Sequence, residues 1–177
     1  MATPPDFISG AVLTAAQMNA VGLWLVKTQT IGTAVSSVTV TGAFSSDYEN
    51  YLVTITGGSA TTDANIQIRL GVSATAYSGS LIYSTYTIAS LALAQDNNTG
   101  QFSFAGSGAV NGLQLSARIL GPNLAKHTGI ATDYIGNLSG GNYAGIHKAN
   151  TQHTAFTIIA SAGTWTGGTI RVYGMRN

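Results

Sequence analysis

Three features of the amino-acid sequence predict an all-β fold: an antiparallel β-sandwich, jelly-roll-like, preceded by an extended N-terminal arm and one short α-helix. Apolar residues alternate with Thr, Ser and Gln in many short runs. Glycine-rich turn signals separate those runs. The polar share is neutral, with 23 Thr, 16 Ser and 22 Gly in 177 residues and only 7% charged, against about 25% in an ordinary soluble domain. Alternation of this kind leaves one face of each sheet wet or against a partner.

The arm comes first. Pro4 and Pro5 oppose a helix and favour extended geometry. Thr14-Ala15-Ala16-Gln17 then matches a capping box. A helix is expected from Ala15 to about Lys27, with Met18, Val21 and Leu25 on one stripe, Trp24 beside it and Lys27 facing the dipole at its end. About a dozen residues make a marginal helix alone, so it should dock on its own β domain or on a neighbour. Residues 1–27 are therefore read as arm and anchoring helix, and 28–177 as the β-sandwich domain. Met18, Val21, Trp24 and Leu25 are the candidate assembly contacts.

From Thr28 the period becomes two. Val38 and Val40 alternate with threonines, as do Tyr51, Val53 and Ile55. Ile66, Ile68 and Leu70 alternate with Gln67 and Arg69; Leu113, Leu115, Ala117 and Ile119 alternate with Gln114, Ser116 and Arg118. Further strands are expected over Leu81–Ile88, around Phe102 and Phe104, and over Thr128–Ile135, Tyr143–His147, Thr154–Ile159 and Thr169–Tyr173. Turns are expected at Gly57-Gly58, Asp96–Gly100, Gly106-Ser107-Gly108, Gly121-Pro122-Asn123, Ser139–Asn142 and Gly167-Gly168. No helical segment separates the strands, which argues against a parallel sheet.

The bulk numbers exclude several functions. A net charge of +1 offers no field for phosphates, so no nucleic-acid partner is expected. With no Cys, neither a disulfide nor a thiolate metal site can form. Thr, Ser or Gly interrupt every apolar stretch, so no transmembrane helix is expected, and the first residues lack the pattern of a secretory signal.

Catalytic patterns are thin. His127, His147 and His153 lack a compact ligand spacing, and a metal site is not expected from them. Ser107 lies in Gly-Ser-Gly, without the flanking strand and helix of a nucleophile elbow. Glycoside hydrolysis needs two carboxyl groups across a cleft; Asp47 and Glu49 read as a solvated turn, while Asp63 and Asp96 fall in separate expected loops. Asn97-Asn98-Thr99 and Asn137-Leu138-Ser139 are sequons of the kind that chance produces in such a chain. Tyr77, Tyr83, Tyr86 and Tyr143 are expected in the core, the alternative being an exposed patch for sugar or protein. No enzyme activity, catalytic residue or cofactor is expected.

Two segments carry a family resemblance. Thr3-Pro4-Pro5-Asp6-Phe7 through Leu13-Thr14-Ala15-Ala16-Gln17-Met18-Asn19-Ala20 resembles the opening of minor tail and tail-fibre structural proteins of tailed bacteriophages. Thr154-Ala155-Phe156-Thr157 and then Gly167-Gly168-Thr169-Ile170-Arg171-Val172-Tyr173-Gly174-Met175-Arg176-Asn177 is similar to their chain end and closing strand. The resemblance implies a virion structural role on the outer surface of the particle and homotrimeric assembly. Implied partners are copies of itself, other tail or capsid proteins, and a host-surface glycan or protein. A capsid decoration protein is the alternative; a carbohydrate-binding or carbohydrate-active module is a more distant one.

Overall fold

The computed structural model describes residues 22–175. These form fourteen β-strands with no helix among the described residues. In chain order they are β1 (Leu23–Thr30), β2 (Ser37–Val40), β3 (Asn50–Thr56), β4 (Ser59–Ala60), β5 (Ala64–Leu70), β6 (Tyr77–Thr85) and β7 (Leu91–Thr99), followed by β8 (Phe102–Ala109), β9 (Gly112–Leu120), β10 (Thr128–Ile135), β11 (Ser139–His147), β12 (Phe156–Ala160), β13 (Trp165–Thr166) and β14 (Thr169–Met175). Every pairing is antiparallel.

β9 is the seam of the molecule. On one edge its first half pairs with β8 (Leu115↔Gly106) and its second half with β10 (Ala117↔Thr132). Its other edge pairs with β3 from Ile55↔Leu115 to Asn50↔Leu120. Two arms of the sheet therefore diverge from it. One runs β1–β14–β3–β9–β10–β11–β6–β7; the other continues from β8 through β5 and β12 to β2. β4 and β13 form a separate two-stranded pair.

The core lies between the arms. Ile66, Ile68 and Leu70 of β5 and Phe156 and Ile158 of β12 are fully buried, in one cluster with Tyr51 and Val53 of β3, Ala117 and Ile119 of β9 and Ile170 and Val172 of β14. Of these, the β3, β5 and β9 residues are the apolar members of the period-two runs. Each such aliphatic side chain contributes about 1.5–3 kcal/mol on leaving water.

The expected helix is corrected over its described part. Leu23–Lys27 lies in β1, whose pairing with β14 runs from Leu23↔Met175 to Thr30↔Thr169. Gly22 precedes it at φ +100, a backbone state that no helix contains. Leu-Trp-Leu-Val also has the aliphatic and aromatic character that suits a pleated surface, and the ladder with β14 outweighs a weak helical stripe. The boundary placed after Lys27 falls inside this strand. Residues 15–21 of the expected helix lie outside the described residues.

Three expected turns are strand. Gly106-Ser107-Gly108 runs through β8, and the reversal comes at Val110-Asn111. A Cβ on Gly106 would collide with the Gln114 carbonyl, and one on Gly108 would press on Leu113 and the Trp165 indole. These glycines bring β8 close to its neighbours. Asp96–Thr99 belongs to β7 and Ser139–Asn142 to β11. Conversely, Tyr86–Ile88, expected within a strand, lies in the β6–β7 connection.

Candidate functional site

Of the four candidate assembly residues, the two that are described do not share a face. Met18 and Val21 lie outside the described residues. Trp24 and Leu25 are successive on β1 and so point to opposite sides of the sheet: Trp24 is half-buried opposite Gly174, while Leu25 is 56% exposed opposite Tyr173. The Trp24 indole N–H is buried without a partner among the described residues.

Two of the three histidines meet. Both His147, at the end of β11, and His153, in the following loop, are buried. His153 Nε2 and His147 Nδ1 share a hydrogen bond of 3.4 Å, and His147 Nε2 shares one of 2.8 Å with the Ser73 hydroxyl. The Tyr77 ring packs on His147 at 4.4 Å between centroids. Burial lowers the pKa of both; for His153 burial and then the neighbouring His147 bring it to about 4. The His153 N–H donates to the Pro122 carbonyl at 2.8 Å and the Asn123 amide donates to the His153 carbonyl at 3.2 Å. The pair thus ties the 148–155 loop to the turn after β9. His127 is exposed. Among the described residues no three His, Cys, Asp or Glu side chains converge.

The acids are dispersed. Asp47 accepts the Ser45 hydroxyl proton at 3.0 Å in an exposed turn. Asp96 is buried in β7, where its Oδ2 accepts the Ser103 N–H at 2.8 Å and the Tyr143 hydroxyl at 2.6 Å. Gly79 and Gly145 clear the space for the Tyr143 ring. Tyr77 and Tyr143 are in the core as expected, whereas Tyr86 is 63% exposed.

Polar groups converge at one end of the molecule. A cavity of about 290 Å³ lies between the start of β5, the β10–β11 turn and Ser161 after β12, lined by Asp63, Asn65, Ser107, Tyr134, Asn137 and Ser139 among others. The Tyr134 hydroxyl donates to Asn65 Oδ1 at 2.8 Å, and the Asn137 amide donates to Asp63 Oδ2 at 3.2 Å. The Asn65 N–H donates to the Ser161 hydroxyl oxygen at 2.9 Å. Burial raises the Tyr134 pKa, so the phenol stays a donor at neutral pH. A second cavity of about 250 Å³, walled by Leu81, Tyr83, Ala94 and Phe104, shares Asn65, Tyr134 and Ser139 with the first. On the outer face of the long arm a third concavity, about 410 Å³, spans Leu52 to Ile82 across Arg118, Asp133 and Asn142. Among the described residues, none of the three has two carboxylates in its lining.

The sequence reading named Asp63 and Asn137 but for other reasons, and it missed Asn65, Tyr134 and Ser161. Ninety-six positions separate Asn65 from Ser161. No local spacing joins them; the β5–β12 pairing does.

Apolar side chains cluster around the same end. Tyr86, Ile88, Leu91, Leu93, Ile135 and Leu138 are each more than half exposed. The Tyr86 N–H donates to the Leu138 carbonyl at 3.0 Å, joining the β6–β7 and β10–β11 connections. Leu91 and Leu93 lie on β7, which among the described residues is an edge strand paired with β6 only.

No family model matches the chain, and no curated protein matches it. A solved structure described as that of infectious bursal disease virus Gt strain is similar at 8% identity, over 85% of this chain and 42% of that chain, with a TM-score of 0.17. A likeness so slight carries no argument about fold or function.

Proposed function

We propose that the chain is a non-enzymatic structural protein on the outer surface of a bacteriophage particle, a tail-associated, fibre- or adhesin-like part that assembles as a homotrimer. In this reading the two arms form a jelly-roll-like sandwich that meets neighbouring virion proteins and, at its free end, the host surface. The observation that carries it is the uncharged apolar cluster of Tyr86, Ile88, Leu91, Leu93 and Leu138 beside an edge strand. Contiguous exposed apolar surface marks contact with another protein more often than chance exposure does. The closing run Thr169–Gly174, one of the two segments that resemble tail proteins, is consistent with it: the run lies between β1 and β3 as a central strand. Multivalency supplies the mechanism, since weak contacts per head add through a symmetric assembly.

Labelling purified phage particles that carry the gene with an antibody to the chain tests this reading. Label at the tail is the expected result. Label over the whole head at high copy would favour the decoration protein instead, and particles free of the chain would overturn both.

A further inference from the structure

We infer that the cavity between Asp63, Asn65, Tyr134 and Asn137 binds a neutral sugar ring. The argument rests on which hydrogen-bonding valences are spent and which remain. Asn65 Oδ1 is taken by Tyr134 and one Asn137 N–H by Asp63. This leaves the Asn65 amide N–H groups as donors, and Asp63 Oδ1 and Asn137 Oδ1 as acceptors, at one cavity. Ser161 accepts from the Asn65 backbone, and among the described residues its own proton has no acceptor.

That set of valences selects a ligand class. A phosphate or carboxylate would bring its negative charge against Asp63, and among the described residues no Lys, Arg or His lines the cavity to neutralise it. An ammonium only donates and would leave the Asn65 N–H groups and the Ser161 proton unused. A sugar hydroxyl donates and accepts at once and matches both halves. The existing hydrogen bonds hold the two amides and the carboxylate in place beforehand, which lowers the ordering cost of binding. At about 290 Å³ the cavity lies just under the usual range of ligand pockets, about 300–1,000 Å³, which suits no more than one ring. The adjoining aromatic-walled cavity of Tyr83 and Phe104 would take an apolar substituent or the face of a second ring.

The inference names a ligand for this end of the molecule and stands apart from the virion reading. A chain that binds sugar yet is absent from particles would overturn only the latter.

Titration of the ¹⁵N-labelled full chain with D-glucose, D-galactose and N-acetyl-D-glucosamine, followed by amide chemical shifts, tests it. Sodium phosphate and ethanolamine serve as the anionic and cationic comparisons. The expected result is saturable shifts at residues 63–65, 134–139 and 161 with at least one sugar. Asp63→Ala and Asn137→Ala should each weaken that binding about tenfold or more. Both positions are exposed, so the variants should fold, and an unchanged amide spectrum elsewhere checks that. The inference is overturned if no sugar gives saturable shifts, if the shifts fall elsewhere, if both variants bind unchanged, or if phosphate or ethanolamine binds more tightly than every sugar.

Discussion

The Tyr143 hydroxyl donates a 2.6 Å hydrogen bond to Asp96 Oδ2 in the buried interior, and the same oxygen accepts the Ser103 N–H at 2.8 Å. The contact fixes β7 to β11 and to the start of β8. Burial, and then the carboxylate itself, push the Tyr143 phenol far above its ordinary pKa, so it remains a donor wherever the protein is folded. Tyr143→Phe should cost about 2 kcal/mol, the worth of a hydrogen bond to a charged group. Asp96→Ala should cost more, because it strands two donors. Urea unfolding of both variants measures this; losses below about 0.5 kcal/mol, the level of a surface change, would count against the role assigned to the pair.

Gly79 should tolerate no side chain. A Cβ there would run into the Tyr143 ring, and over-packing of a filled core costs about 1–3 kcal/mol. Gly129→Ala is the comparison, since its Cβ would meet Leu120 at an ordinary 3.5 Å. Thermal melts should separate the two substitutions clearly, and equal melting temperatures would show that the Tyr143 ring has room to move.

Acid should weaken the fold through the histidine pair. The folded pKa of His153 lies below the ordinary histidine value, at about 4, so the unfolded chain binds more protons as pH falls below about 6.5. Stability contributed by the neutral ring is complete above that pH and is lost as pH falls toward 4. His147 shifts in the same direction, and protonation of both rings would set two donors face to face. Melting temperature measured from pH 7 to 4.5 should fall more steeply for the native chain than for His153→Gln. Parallel curves would remove the pair from the explanation.

Leu93→Lys should leave stability within about 0.5 kcal/mol, because Leu93 is 75% exposed. It should nonetheless weaken self-association, since an inserted charge blunts an apolar sheet edge. Sedimentation velocity of the variant beside the native chain reads both the mass and the compactness. Unchanged association would exclude this edge as the contact.

The fold was legible where a side chain answers only to its own strand. Ile66, Ile68 and Leu70, or Leu113 to Ile119, alternate because one sheet face is buried, and the pleat repeats every two residues. It was illegible where a residue answers to a distant partner. Gly106 and Gly108 read as turn residues, yet they are strand residues that make room for Gln114, Leu113 and Trp165. Asp96 read as a loop acid, yet Tyr143, forty-seven positions away, satisfies it in a buried strand. Leu23–Lys27 read as helix because its partner β14 lies at the other end of the chain. The sugar cavity was hidden for the same reason: β5, the β10–β11 turn and the residue after β12 meet only through the sheet order.

A light-scattering mass of the intact chain in dilute solution weighs most heavily on the idea of a part built to fit its neighbours. A particle of three times the 18.1 kDa chain mass is the expected result. A species that remains at 18.1 kDa across the accessible concentration range would contradict it.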